Sequence, residues 1–292
     1  MPSTLAIFSF SPLINLVGVL ICGAVSVICA FLSKSSGHAP VWMDVPALHL
    51  IGFRDPEASL FSAGCTASAI LLLFSGAMYH MLIHACQSRH QVPQKHDGAA
   101  RFLNLASFSF HAVACIALSV QACCPVQSDI VHTYFGYSAL NDKTRFHQAA
   151  AACWWISAAL HEVLFIVALF VSPALSFMRR LKTFKLRVAL VSLSLVCCAV
   201  SHIATIPASK VVTGLTTHQV NTTTICSMWI SASAFVAALL LQSWESALIL
   251  ERIGIHPLLF GSSSTKRDNN SEQSVGLTST KTVEDEEEAH SA

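Results

Sequence analysis

The residues of this chain best equipped for chemistry are histidines and a glutamate set inside apolar sequence. His111 stands in one apolar stretch, and the adjacent pair His161-Glu162 stands near the middle of the next. A charge at the bilayer centre costs about 2.5–3.5 kcal/mol on insertion scales, so such groups turn to a bundle interior and find partners there. Two roles fit them. One is a proton or ion relay, which would make the chain a channel or transporter working through His111, His161 and Glu162. The other is an interhelical hydrogen bond, and it is the preferred reading. Neighbours on a helix point about 100° apart, so His161 and Glu162 are not expected to bond each other. Glu245 lies near one end of the last apolar stretch, where it can reach the interface.

Histidine also ligates haem. His80, His84, His111, His161 and His202 occupy four consecutive apolar stretches, an arrangement superficially like that of six-helix b-type cytochromes. Depth argues against it, because a haem held by two histidines needs both rings at one level. His80 and His84 sit near one end of their stretch, His202 near the opposite face, and only His111 and His161 are expected to meet. The eleven cysteines contain no CxxC pair of a zinc or redox site, and most fall where a thiol is simply a small apolar group. There is no HExxH pair and no nucleophile elbow either. No catalytic residue, cofactor or metal is expected, and the chain reads as a non-enzyme.

The elements that must position these groups are six apolar stretches, over residues 6–32, 60–85, 102–123, 148–177, 186–206 and 224–250. Each reaches the roughly 20 residues a helix needs to cross a hydrocarbon core. None alternates as a barrel strand would, and only helices and closed barrels satisfy their backbone in lipid. Apolar residues make up 53% of the chain and charged ones 11%, with mean hydropathy +0.59. The expectation is an all-α polytopic membrane protein: a six-helix bundle over residues 1–254 that touches the lipid bilayer, then a Ser/Thr-rich acidic tail over 261–292. The tail has too few apolar residues to offset ordering entropy and is expected to be disordered. No Lys or Arg precedes Lys34, so the first stretch reads as a retained span and not a signal peptide. A net charge of +1 gives no reason to expect nucleic acid as a partner.

Basic residues set the sidedness. Twelve of the seventeen Lys and Arg residues, Arg187 among them, fall after spans two, four and six. By the positive-inside rule both termini are cytosolic. Asn221 then begins a non-cytosolic glycosylation sequon, and Cys86, at the cytosolic end of span two, is a palmitoylation candidate. Cys123, Cys124 and Cys226 lie near the oxidising face, where one bridge among them could form. The short link between spans four and five makes those two expected neighbours.

One loop carries a family signal. Met43-Asp44-Val45-Pro46 is followed by Gly52 and then by Asp55-Pro56-Glu57-Ala58-Ser59-Leu60-Phe61-Ser62 at the mouth of span two. Physically this is a shaped loop and a helix start: two prolines forbid regular helix, Gly52 permits a tight turn, and Glu57 suits the first-turn dipole. The arrangement also resembles the Frag/DRAM/Sfk family of six-span proteins, whose loop reads Pro-x-Ile-Ser, a Gly, then Pro-Pro-Glu-Ser-x-Leu-Phe. It looks most like the transmembrane-protein-150 branch, which also has counterparts of Gln87-Ser88-Arg89-His90. The motif residues carried over are Asp44, Pro46, Gly52, Pro56 and Glu57, with His147 as a family-like histidine before span four and Cys226 and Trp229 in span six. Leu48-His49 and Asp55 depart from the pattern.

The resemblance implies a non-catalytic membrane regulator. Relatives in the DRAM branch promote autophagy from lysosomal and endosomal membranes. Relatives in the Sfk and 150 branch help recruit a phosphoinositide-kinase complex and organise lipid at the plasma membrane. The implied partners are therefore a peripheral kinase scaffold or autophagy components. The Frag branch implies a further alternative, a luminal factor remodelling the lipid of GPI anchors, for which Asp129, His132, Asp142 and His147 lie on the appropriate face.

Overall fold

A computed structural model describes residues 7–39, 46, 51–52, 54–89, 97–124, 142–205 and 216–255. Six long helices account for most of them: α1 Ser11–Ser35, α2 Glu57–Arg89, α3 Asp97–Cys123, α4 Asp142–Val171, α5 Lys182–Thr205 and α6 Thr217–Arg252. All six are long and apolar enough to cross a membrane, and no strand occurs among the described residues. Residues 1–260 form one compact unit. The tail over 261–292 lies outside the described residues.

Local chemistry explains the ends that sequence placed differently. α1 opens with Pro12 in its first turn, where a missing N–H costs nothing. α4 stops at Val171 and not at 177, because Ser172-Pro173 interrupts the ladder, and a 3₁₀ turn and a single helical turn lead on to α5. α6 begins seven residues before the apolar stretch does, on a capping box. Thr216 Oγ1 accepts from the Gln219 N–H at 3.3 Å, and Gln219 Oε1 accepts from the Thr216 N–H at 2.9 Å.

Large apolar side chains such as Phe31, Phe74, Phe102, Ile156 and Val196 point outward, and between the helices serines, asparagines and histidines share the interior with two apolar clusters, one of them around Tyr79, Phe165, Leu169 and Ile249. Asn15 of α1 donates from Nδ2 to Leu239 O at 2.7 Å and accepts from Ser75 at 3.1 Å, which joins α1, α2 and α6. Ser68 donates to Gly18 O at 2.7 Å, and Ser194 and Ser231 bond across α5 and α6. In lipid, apolar burial does not drive helices together, so small residues and such bonds, about 0.6–2 kcal/mol each, hold the bundle.

Each helix packs on its predecessor from α1 to α4, and α6 packs on α5, α1 and α2. The expected pairing of the fourth and fifth spans is found only as a loose contact. Although a short connection joins them, α4 and α5 barely touch, since α5 is drawn to α6 and α4 to α3.

Candidate functional site

Toward the end of the bundle where α2, α4 and α6 terminate, four helices place ionisable side chains in one dry volume. Arg187 of α5 is fully buried. Its Nη1 lies 3.4 Å from Glu245 Oε2 of α6, its Nε 3.7 Å from Glu162 Oε2 of α4, and its Nη2 donates to Ala238 O at 3.4 Å. The guanidinium carbon stands 4.8 Å from the centre of the Phe165 ring. Tyr79 of α2 donates its hydroxyl to Glu245 Oε2 at 2.8 Å. The cluster thus sets two carboxylates around one guanidinium. Glu245 accepts a hydrogen bond from Tyr79 and stands in an ion pair with Arg187, whereas neither oxygen of Glu162 accepts a hydrogen bond from a described residue, and Arg187 Nε and Nη1 likewise donate to none.

Three histidines adjoin it. His80 Nδ1 donates to Asn104 Oδ1 at 2.7 Å while Asn104 Nδ2 returns a bond to His80 O at 3.1 Å. His161 Nδ1 donates to Ser107 O at 3.1 Å and Ser107 Oγ donates to His161 O at 2.9 Å, a reciprocal tie between α3 and α4. His111 Nε2 donates to Leu72 O at 2.9 Å. That bond needs Gly76, because a Cβ there would fall 2.3 Å from His111 Nε2. The ring centres of His80 and His161 are 5.5 Å apart, and those of His111 and His161 4.7 Å. His161 Nε2 lies 3.9 Å from Glu162 Oε1, beyond hydrogen-bond distance.

Several sequence readings are corrected here. The depth argument placed only His111 beside His161, yet His80 joins them. With the true helix ends, His80 lies nine residues from the end of α2 and His161 ten from the end of α4, which puts them at one level. Among the described residues, no group of three or more His, Cys, Asp or Glu side chains is arranged to hold a metal ion. Glu245 does not reach the interface; it is buried in the ion cluster. Arg187 is not a loop cation. Its signal was its spacing: Phe184, Arg187, Val191 and Ser194 form one buried stripe, while Lys182 and Lys185 face outward. Sequence reasoning also missed Tyr79, Asn104 and Ser107.

At the opposite end, the loop-motif residues form a second assembly. Glu57 is buried, and its Oε1 meets His38 Nδ1 at 2.7 Å. Gly52 has φ +78°, and a Cβ there would meet Phe61 Cβ at 2.6 Å, so both backbone conformation and space demand glycine. Trp229 Nε1 of α6 donates to Pro46 O at 2.9 Å. Pro56 is exposed just before α2. His147, expected ahead of a span, lies within α4 and donates from Nδ1 to Cys124 O at 2.7 Å, which ties α4 to the end of α3. Asp44, Asp129 and His132 lie outside the described residues, as do the side chains of Asp142 and His202.

Asn221, the glycosylation candidate, was expected just ahead of span six. It sits instead in the early turns of α6 with 9% of its surface exposed, because the capping box starts the helix upstream of it. Cys86 is partly buried against the apolar cluster at the other end. Cys123, Cys124 and Cys226 are unbridged. Compared with family models, curated proteins and solved structures, the chain finds no match in any of the three.

Proposed function

We propose that this chain is a non-catalytic multi-pass membrane regulator of the Frag/DRAM/Sfk kind, with both termini in the cytosol. It acts at the plasma membrane or at endosomal and lysosomal membranes, by presenting surfaces to a peripheral phosphoinositide-kinase scaffold or to autophagy components. The observation that carries this reading is the use made of the loop motif. Pro46, Gly52 and Glu57 are spent on a hydrogen bond to Trp229, a close approach to Phe61 and a buried pair with His38. Residues committed in this way shape and brace a surface, and none is left displayed as a nucleophile or base. With Arg187 buried, eleven basic residues still lie on the proposed cytosolic side against five on the other, which supports the orientation and supplies cations for anionic lipid.

A full-length tagged copy, imaged against plasma-membrane and lysosomal markers and then used for proximity labelling, tests the reading. Enrichment of kinase-scaffold components or of autophagy components is the expected result, and enrichment of neither refutes it. A second reading, a proton-coupled channel or transporter, is favoured by one feature: cavities of about 510 and 480 Å³ reach His80 and Glu162 from different sides of the bundle. Proton uptake by proteoliposomes that is lost in Glu162→Gln would establish it.

A further inference from the structure

The weak contact between α4 and α5 leaves a cleft with its own chemistry. Near their connected ends these helices are tied by the Glu162–Arg187 pair. Beyond it opens a cavity of about 480 Å³, walled by Trp155, Val191 and Phe235, with exposed Ile156 and Leu195 at its mouth. The mouth therefore faces the surroundings of the bundle, which for apolar helices is lipid. Along α4 the cleft runs from Glu162 to Ala152, ten residues, or roughly 15 Å at the helical rise. Its size is that of a site for one small amphipath.

Glu162 is the one charged residue among the described residues lining this cleft. It is fully buried, and neither of its oxygens accepts a hydrogen bond from a described residue. Arg187 approaches no closer than 3.7 Å and is shared with Glu245 and the Ala238 carbonyl. Each histidine nearby has committed one N–H to an oxygen, as a neutral ring does, so two carboxyl groups share a single cation and Glu162 is the one short of donors. Ser194 does not compete for it, because its hydroxyl is turned to Ser231 at 3.0 Å. A carboxylate short of donors, at the end of an apolar cleft with two aromatic walls, has the features that select a cation.

We propose that the α4–α5 cleft binds a lipophilic primary amine from the membrane, its ammonium paired with Glu162 and its single alkyl chain lying between the two helices toward Ala152. An acidic lipid brings further acceptors to a site that lacks donors and is rejected for that reason. A neutral alcohol offers one donor where an ammonium offers three, so it binds more weakly.

Full-length protein in nanodiscs, titrated with an ω-bromoalkylamine, tests this through bromine quenching of tryptophan fluorescence. The matching bromoalkanol and bromoalkanoic acid serve as comparisons. The amine should quench saturably, the alcohol should require at least about tenfold more, and the acid should show no saturable phase. Glu162→Gln should weaken the amine by about 10- to 100-fold, the range of a hydrogen bond to a charged group, and abolish its advantage over the alcohol. Ala159→Leu fills the cleft away from the ion cluster and should remove saturable quenching by both. Trp155→Phe should remove most of the quenchable signal. Unsaturable quenching by all three probes would mean partition into the bilayer alone and would overturn the proposal. So would equal binding of alcohol and amine, or an Ala159→Leu protein that binds the amine like the parent.

Discussion

Replacing Arg187 by Met puts the buried ion cluster to the sharpest test. The guanidinium lies 3.4 Å from Glu245 and 3.7 Å from Glu162, both excluded from water. Removing it leaves two carboxylates facing each other in the interior, and breaking a buried pair by deleting one partner costs about 3–5 kcal/mol. Methionine keeps most of the aliphatic volume, so little of that loss comes from a cavity. For a unit of this size 1 kcal/mol moves the midpoint by about 2–4 °C, so the melting temperature in detergent should fall by roughly 6–20 °C. Charge and packing can then be separated. A fourfold variant, Arg187→Met with Glu162→Leu, Glu245→Leu and Tyr79→Phe, removes every member of the cluster and leaves no orphaned hydroxyl. Replacing an entire buried ion cluster by apolar groups is often neutral, so most of the lost stability should return. Thermal unfolding followed by a thiol-reactive dye measures both, with the buried thiols of Cys29, Cys65 and Cys115 as reporters. A parental melting temperature for Arg187→Met would refute the idea that the guanidinium stabilises this cluster. A fourfold variant as unstable as the single one would show that shape, and not charge, is what Arg187 supplies.

Further outcomes follow from other contacts. Gly76→Ala should drive His111 off the Leu72 carbonyl and lower the melting temperature, whereas Gly98→Ala, with open space around it, should not; equal effects would remove the close approach as the cause. Trp229→Phe deletes one neutral hydrogen bond to Pro46 and should cost about 0.5–1.5 kcal/mol, read in the same unfolding assay. Glu57→Ala should lower yield and surface delivery in step with any loss of cellular activity, while lost activity at normal abundance would make Glu57 a functional contact. Tags at either terminus should stain only after permeabilisation, and staining of intact cells would overturn the proposed sidedness.

Sequence alone determined the number and class of the elements, because spanning a membrane is a local property: about 20 apolar residues suffice wherever they lie in the chain. It also sent His111, His161 and Glu162 to the interior, since lipid-facing ionisable groups are too costly. It marked Gly52 and Pro46 as shaped-loop residues through their backbone chemistry. Only the tertiary structure decided which of these groups meet. Trp229 finds Pro46 across 183 positions of sequence, and Glu245 finds Tyr79 across 166. Such pairings depend on helix rotation, relative depth and order around the bundle, and hydropathy carries none of these. Arg187 shows the limit most clearly. Counted by charge it belongs to a cytosolic loop, but the end of α4 at Val171 and the start of α5 at Lys182 draw it inside, between two carboxylates. The gap between α4 and α5 was equally invisible. A short connection favours adjacency, yet packing against α3 and α6 won, and the cleft beside Glu162 is what that competition left open.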